Sequence, residues 1–174
     1  MFWLKFLSKF VKVLREGASP AAIAAGFTVG FIVGLTPFLT LQNLLLLMLA
    51  GLLRWNFAAL GLSMFFFSFF AYVFDPLFHR LGWFLLVDVR ALQGFYTWLY
   101  NLPVAPFTRF YNTIVAGSTA VALVLSPLVY VASKRGVILY RERWAEKLER
   151  ARWVRALRGT KLVQWYLKIR DLDF

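Results

Sequence analysis

The chain has 174 residues, 61% of them hydrophobic, with 19 Phe, 7 Trp and 7 Tyr, a net charge of +12 and no Cys. A water-soluble domain of this size could not hide that much apolar surface, so the composition points to a membrane protein. The lack of Cys excludes disulfides, thiolate metal sites and Cys nucleophiles, and a single His excludes a multi-His metal site within one chain.

The charges are placed unevenly. Lys5, Lys9, Lys12 and Arg15 crowd the start, and residues 134–174 are strongly basic. Between them, residues 17–133 hold only Arg54, Arg80, Arg90 and Arg109 against Asp75 and Asp88. Basic flanks of apolar spans belong on the cytoplasmic side, so both termini are expected there, with an even number of crossings. Anionic lipid headgroups account for the basic flanks better than nucleic acid does.

Residues 1–16 set three lysines on one helical face and Phe2, Phe6, Phe10, Val13 and Leu14 on the rest. That pattern predicts a helix lying in the membrane interface. The lysines interrupt any signal-peptide core, so cleavage is not expected.

Residues 19–53 form the longest uncharged stretch and predict a broken helical hairpin. Ser19 followed by Pro20 is an N-cap and a first helical position. Ala22, Gly26, Gly30 and Gly34 recur every fourth residue, which puts small side chains on one face and invites a second backbone to pack closely, a Gly zipper. Each arm falls short of the ~20 residues of a full crossing. The hairpin is therefore either two compressed crossings or a re-entrant loop. Its centre carries Thr36, Pro37, Thr40, Gln42 and Asn43, and irregular polar backbone at membrane depth has to be sheltered by protein or line a wet cavity.

Residues 57–74 and 113–133 predict two transmembrane helices, the second kinked at Pro127. Between them, residues 75–112 predict an external amphipathic segment of one or two short helices, broken at Pro103 and Pro106 and anchored by Trp98 and Tyr100. Residues 137–174 predict a basic cytoplasmic amphipathic tail that lies on the inner leaflet or binds a partner. The fold class is all-α: a polytopic membrane domain over residues 1–136 followed by this tail.

Gly17-Ala18-Ser19-Pro20, Ile23-Ala24, Gly26-Phe27, Gly30, Gly34, Pro37 and Gln42 resemble the bacterial membrane family called domain of unknown function 2062. Asp75-Pro76-Leu77-Phe78-His79-Arg80-Leu81-Gly82 and the strings from Leu99 to Ser118 look like one uncharacterised branch of it. The likeness covers roughly residues 15–135. Phe38-Leu39-Thr40 and Asp75 depart from the broader family pattern. The resemblance implies the inner membrane and no established activity. It also suggests a partner in a larger envelope protein similar to the bridge-like lipid-transfer proteins.

Asp75 and His79 are four residues apart with Arg80 beside them. Asp75 at a helix N-cap is the plain reading, and a proton-handling Asp–His pair is the sharper one. No nucleophile elbow, P-loop, zincin or Rossmann string is present. No catalytic residue, cofactor or metal is expected, and the chain is read as a non-enzyme. His79, Arg80, Arg109 and Asn112 could gather a phosphate headgroup from outside, with Thr36, Thr40, Gln42 and Asn43 meeting it from the membrane side. The leading expectation is a subunit that handles or transports membrane lipid. The alternatives are a scaffold that docks a partner and an enzyme acting on a lipid headgroup. Oligomeric state is left open.

Overall fold

The computed structural model describes residues 18–144. The interfacial helix expected over 1–16 and the tail beyond residue 144 lie outside them. Among the described residues every regular element is helical. The chain divides into two compact units, Met1–Val137 and Ile138–Phe174. The second is described only as far as Trp144, with a π-helical turn over Tyr140–Trp144.

Helix α1 runs Pro20–Leu35, and the Ser19 hydroxyl caps it by accepting from the Ala22 amide at 3.1 Å. It ends where Pro37 forces Thr36 into extended backbone, φ −99° and ψ 151°. Helix α2 follows at Leu41–Leu52, so Gln42 and Asn43 stand in its first turn rather than in the break. The break proper is Thr36 to Thr40. At 16 and 12 residues, α1 and α2 rise only about 24 and 18 Å, short of a bilayer core. Arg54, in left-handed backbone at φ 52°, turns the chain toward α3.

Helix α3 runs Phe57–Trp83 and does not stop before Asp75-Pro76. The expected boundary at Phe74 is wrong for a physical reason. Pro76 costs the helix one backbone bond, whereas a helix end in this apolar run would orphan four carbonyls. Asp75 is consequently mid-helix, and the N-cap reading of it fails. Asn56 caps α3 instead, accepting from the Ala59 amide at 2.8 Å.

A π-helical turn, Phe84–Asp88, and a short 3-10 turn, Arg90–Leu92, lead to α4, Gln93–Tyr100. A second 3-10 turn, Ala105–Thr108, precedes α5, Thr113–Leu139, which passes Pro127 and continues six residues past the expected end at Ser133. Among the described residues, the α3 and α5 regions are the two stretches, Phe57–Asp88 and Thr113–Arg143, long and apolar enough to cross a membrane.

Glycines set the packing. A Cβ on Gly26, Gly30 or Gly34 would run into the backbone carbonyl of Asn56, Leu60 or Met64 respectively. Both sets of numbers advance by four, so α1 and α3 lie parallel with their backbones in close contact. The Asn56 amide also donates to the Ala22 carbonyl at 3.2 Å, joining the two helix starts. Helix α2 returns against this pair through the buried cluster Val29, Val33, Ala50 and Leu60. Helices α3 and α5 are antiparallel: a Cβ on Gly82 would meet the Thr113 carbonyl, and one on Gly117 the Phe78 carbonyl. Phe31, Ile32, Leu35, Phe78 and Ala122 join α1, α3 and α5 in one buried cluster. The outer faces stay apolar and exposed, as at Leu44, Met48, Phe66, Phe69, Val124 and Leu128.

Candidate functional site: the hollow under the hairpin tip

The break between α1 and α2 is held by Asn43, which is fully buried. Its Nδ2 donates to the Pro37 carbonyl at 3.0 Å. That leaves Oδ1 to accept from the Thr36 hydroxyl at 2.9 Å. Thr36 Oγ1 also lies 2.9 Å from the Ile32 carbonyl, so its single proton is shared between two acceptors. Thr40, also buried, donates to the Pro37 carbonyl at 3.3 Å. These side chains satisfy polar backbone that the proline break would otherwise strand in an apolar interior.

Beneath this tip lies a hollow of about 510 Å³. Thr36, Pro37 and Phe38 form one wall. Ser68, Tyr72 and Asp75 form the second, on one face of α3. Arg109, Asn112 and Val115 close the third. A neighbouring hollow of about 570 Å³ lies between Thr40 and Leu44 on one side and Phe107 and Tyr111 on the other. Arg109 borders both.

Arg109 sits in left-handed backbone, φ 56° and ψ 27°, which a residue with a side chain adopts only when its surroundings hold it there. The Asn112 amide pins it by donating to its carbonyl at 2.9 Å. Asn112 in turn caps α5, its Oδ1 accepting from the amides of Ile114 at 2.9 Å and Val115 at 3.2 Å. Stacking of Phe110 on Tyr96 ties the same loop to α4.

Among the expected site residues, Thr36, Asp75, Arg109 and Asn112 meet at the first hollow, and Thr40 joins Arg109 at the second. Gln42, Asn43, His79 and Arg80 line neither. Gln42 is half-buried and its Oε1 has no hydrogen-bond partner. His79 does not pair with Asp75: its Nδ1 lies 2.7 Å from the Thr113 hydroxyl. Asp75 and Arg109 share the hollow, yet among the described residues neither forms an ion pair. No three His, Asp or Glu side chains of the described residues gather as a metal site would need.

Sequence reasoning passed over Ser68 and Tyr72. With Asp75 they stand at i, i+4 and i+7, one helical face. Pro76 concealed it by suggesting that the helix had already ended. Gly82 and Gly117, the contacts between α3 and α5, were also missed. Each stands alone, with no repeat to mark it.

The family model for "Uncharacterized protein conserved in bacteria (DUF2062)" matches residues 4–145. An "Uncharacterized protein" of Treponema pallidum (strain Nichols) is 28% identical over 148 residues, covering 85% of this chain and 91% of that protein. No solved structure matches the chain significantly.

Proposed function

The chain belongs to the bacterial family DUF2062, and from that premise we propose that it is a helical protein of the inner membrane that holds and guides a lipid by its headgroup. The observation that carries this reading is the hollow under the hairpin tip, where Thr36, Asp75, Arg109 and Asn112 converge beside apolar walls. Ligand sites combine concave apolar surface with a few convergent polar groups in this way.

Helices α3 and α5 are the two crossings, with both termini in the cytoplasm. The glycine-lined hairpin enters from the same side as the termini and is re-entrant, since its arms are too short to cross. The hollow then follows α3 from Met64 to Asp75, the middle of the Phe57–Trp83 helix. A headgroup fits there, with its tails along the exposed Phe and Leu faces. The protein acts as a subunit beside a larger envelope protein of the bridge-like lipid-transfer type, which receives or supplies the lipid.

The test is lipid capture. A photo-crosslinking amino acid in place of Tyr72, in protein reconstituted into phospholipid vesicles, should form lipid adducts. Arg109→Gln should cut the yield several-fold while the helical content is retained. If position 72 gives no lipid adduct in folded protein, the reading is wrong.

The scaffold alternative draws support from the exposed Leu44, Leu45, Met48 and Leu49 on α2. It predicts that deleting residues 145–174 abolishes function while lipid capture at position 72 is untouched.

A further inference from the structure

We propose that the hollow selects a zwitterionic phosphoethanolamine headgroup. This rests on the lipid reading above and goes further by naming the headgroup. The charges decide it. Asp75 and Arg109 both line one hollow of about 510 Å³ and are not ion-paired to each other. The fold sets the backbone of each: Asp75 stands mid-helix on α3, and Arg109 lies in left-handed backbone whose carbonyl accepts from the Asn112 amide. Two opposite charges that line one cavity without pairing are complementary to a ligand that carries both signs.

The guanidinium takes the phosphate, for which its planar fork is suited. The carboxylate takes the ammonium. A primary ammonium offers Asp75 three N–H donors, whereas a choline headgroup offers none. A phosphoglycerol headgroup would satisfy Arg109 but leave the Asp75 carboxylate facing a second anion, which works against binding. The expected order is phosphoethanolamine, then phosphocholine, then phosphoglycerol. The walls at Leu35 and Ile114 are apolar and suit a glycerol backbone with tails attached.

The experiment uses the full chain with the crosslinker at position 72, in vesicles of equal parts phosphatidylethanolamine, phosphatidylcholine and phosphatidylglycerol. Phosphatidylethanolamine adducts should exceed phosphatidylglycerol adducts by about tenfold, a difference of about 1.4 kcal/mol. Asp75→Asn should bring that ratio close to one, and Asp75→Glu should preserve it should the Asn variant fold poorly. Soluble glycerophosphoethanolamine in millimolar excess should not compete. Equal adduct yields in the unaltered protein, or a ratio unchanged by Asp75→Asn, overturn the headgroup assignment and leave the lipid reading standing. Full competition by the soluble compound overturns the lipid source. No adduct with any lipid overturns both readings.

Discussion

The side chain of Asn43 reaches back seven residues to Thr36, and the 2.9 Å hydrogen bond between them closes the break between the first two helices. The same amide holds the Pro37 carbonyl. Asn43 therefore acts on the shape of the hairpin tip rather than on a ligand. Asn43→Ala should remove the bridge between Thr36 and the Pro37 carbonyl, leaving the first bonded to Ile32 and the second to Thr40 alone, at a cost of about 1 kcal/mol. Thermal unfolding of the detergent-solubilised protein, followed by circular dichroism, should show a lowered Tm. An unchanged midpoint would mean the tip is held by something else.

Gly30 and Gly61 stand on facing helices and make opposite predictions. A Cβ at Gly30 would meet the Leu60 carbonyl and Ser63, while one at Gly61 would meet nothing within 4 Å. Gly30→Ala should push α1 from α3 and cost about 2 kcal/mol. Gly61→Ala should be neutral or stabilising by up to about 1 kcal/mol, since it removes backbone freedom from a helix interior. The same melting experiment run on both variants decides the matter.

Gly82 and Gly117 meet across α3 and α5, where a Cβ on Gly117 would come within 2.9 Å of the Gly82 amide nitrogen. Gly82→Ala and Gly117→Ala should each destabilise, and the double variant should cost less than their sum. Once either methyl has separated the helices, the second meets less resistance. A double-mutant cycle in urea or by heat measures the coupling, and strict additivity would argue against a shared contact.

The Asn112 side chain caps α5 while its amide pins Arg109. Asn112→Ala should cost about 1 kcal/mol and Asn112→Ser only a small part of that, because Ser also caps well. Proteolysis at the Arg109 bond in the folded protein should rise in the Ala variant and stay near the original rate in the Ser variant.

His79 is the chain's single histidine, so its ring gives an unambiguous nitrogen resonance. Its Nδ1 bonds the Thr113 hydroxyl. Thr113→Val should move the Nδ1 resonance by several parts per million, and Asp75→Asn should leave it nearly in place. The reverse result would restore the Asp75–His79 pair.

Much of the hairpin was legible in advance. The Ser19-Pro20 start and the stop before Pro37 are matters of local backbone chemistry, which neighbouring residues decide. The glycine spacing in α1 predicted a close backbone contact, since a four-residue repeat is a property of a single helix. The end of α3 was misread because local chemistry and packing disagree at Pro76. A proline votes for a break, but the apolar residues on both sides make an interrupted backbone more costly than one lost bond.

The sequence by itself determined the helical, apolar character of the chain, the family and the position of the polar break, because composition and short-range spacing suffice for these. Only the tertiary structure decided which polar residues share a cavity. Thr36, Asp75 and Arg109 are separated by dozens of residues, and they meet because glycine contacts set α1 parallel to α3 and α3 antiparallel to α5. Which carbonyl faces which glycine is a relation between helices, and no single segment encodes it.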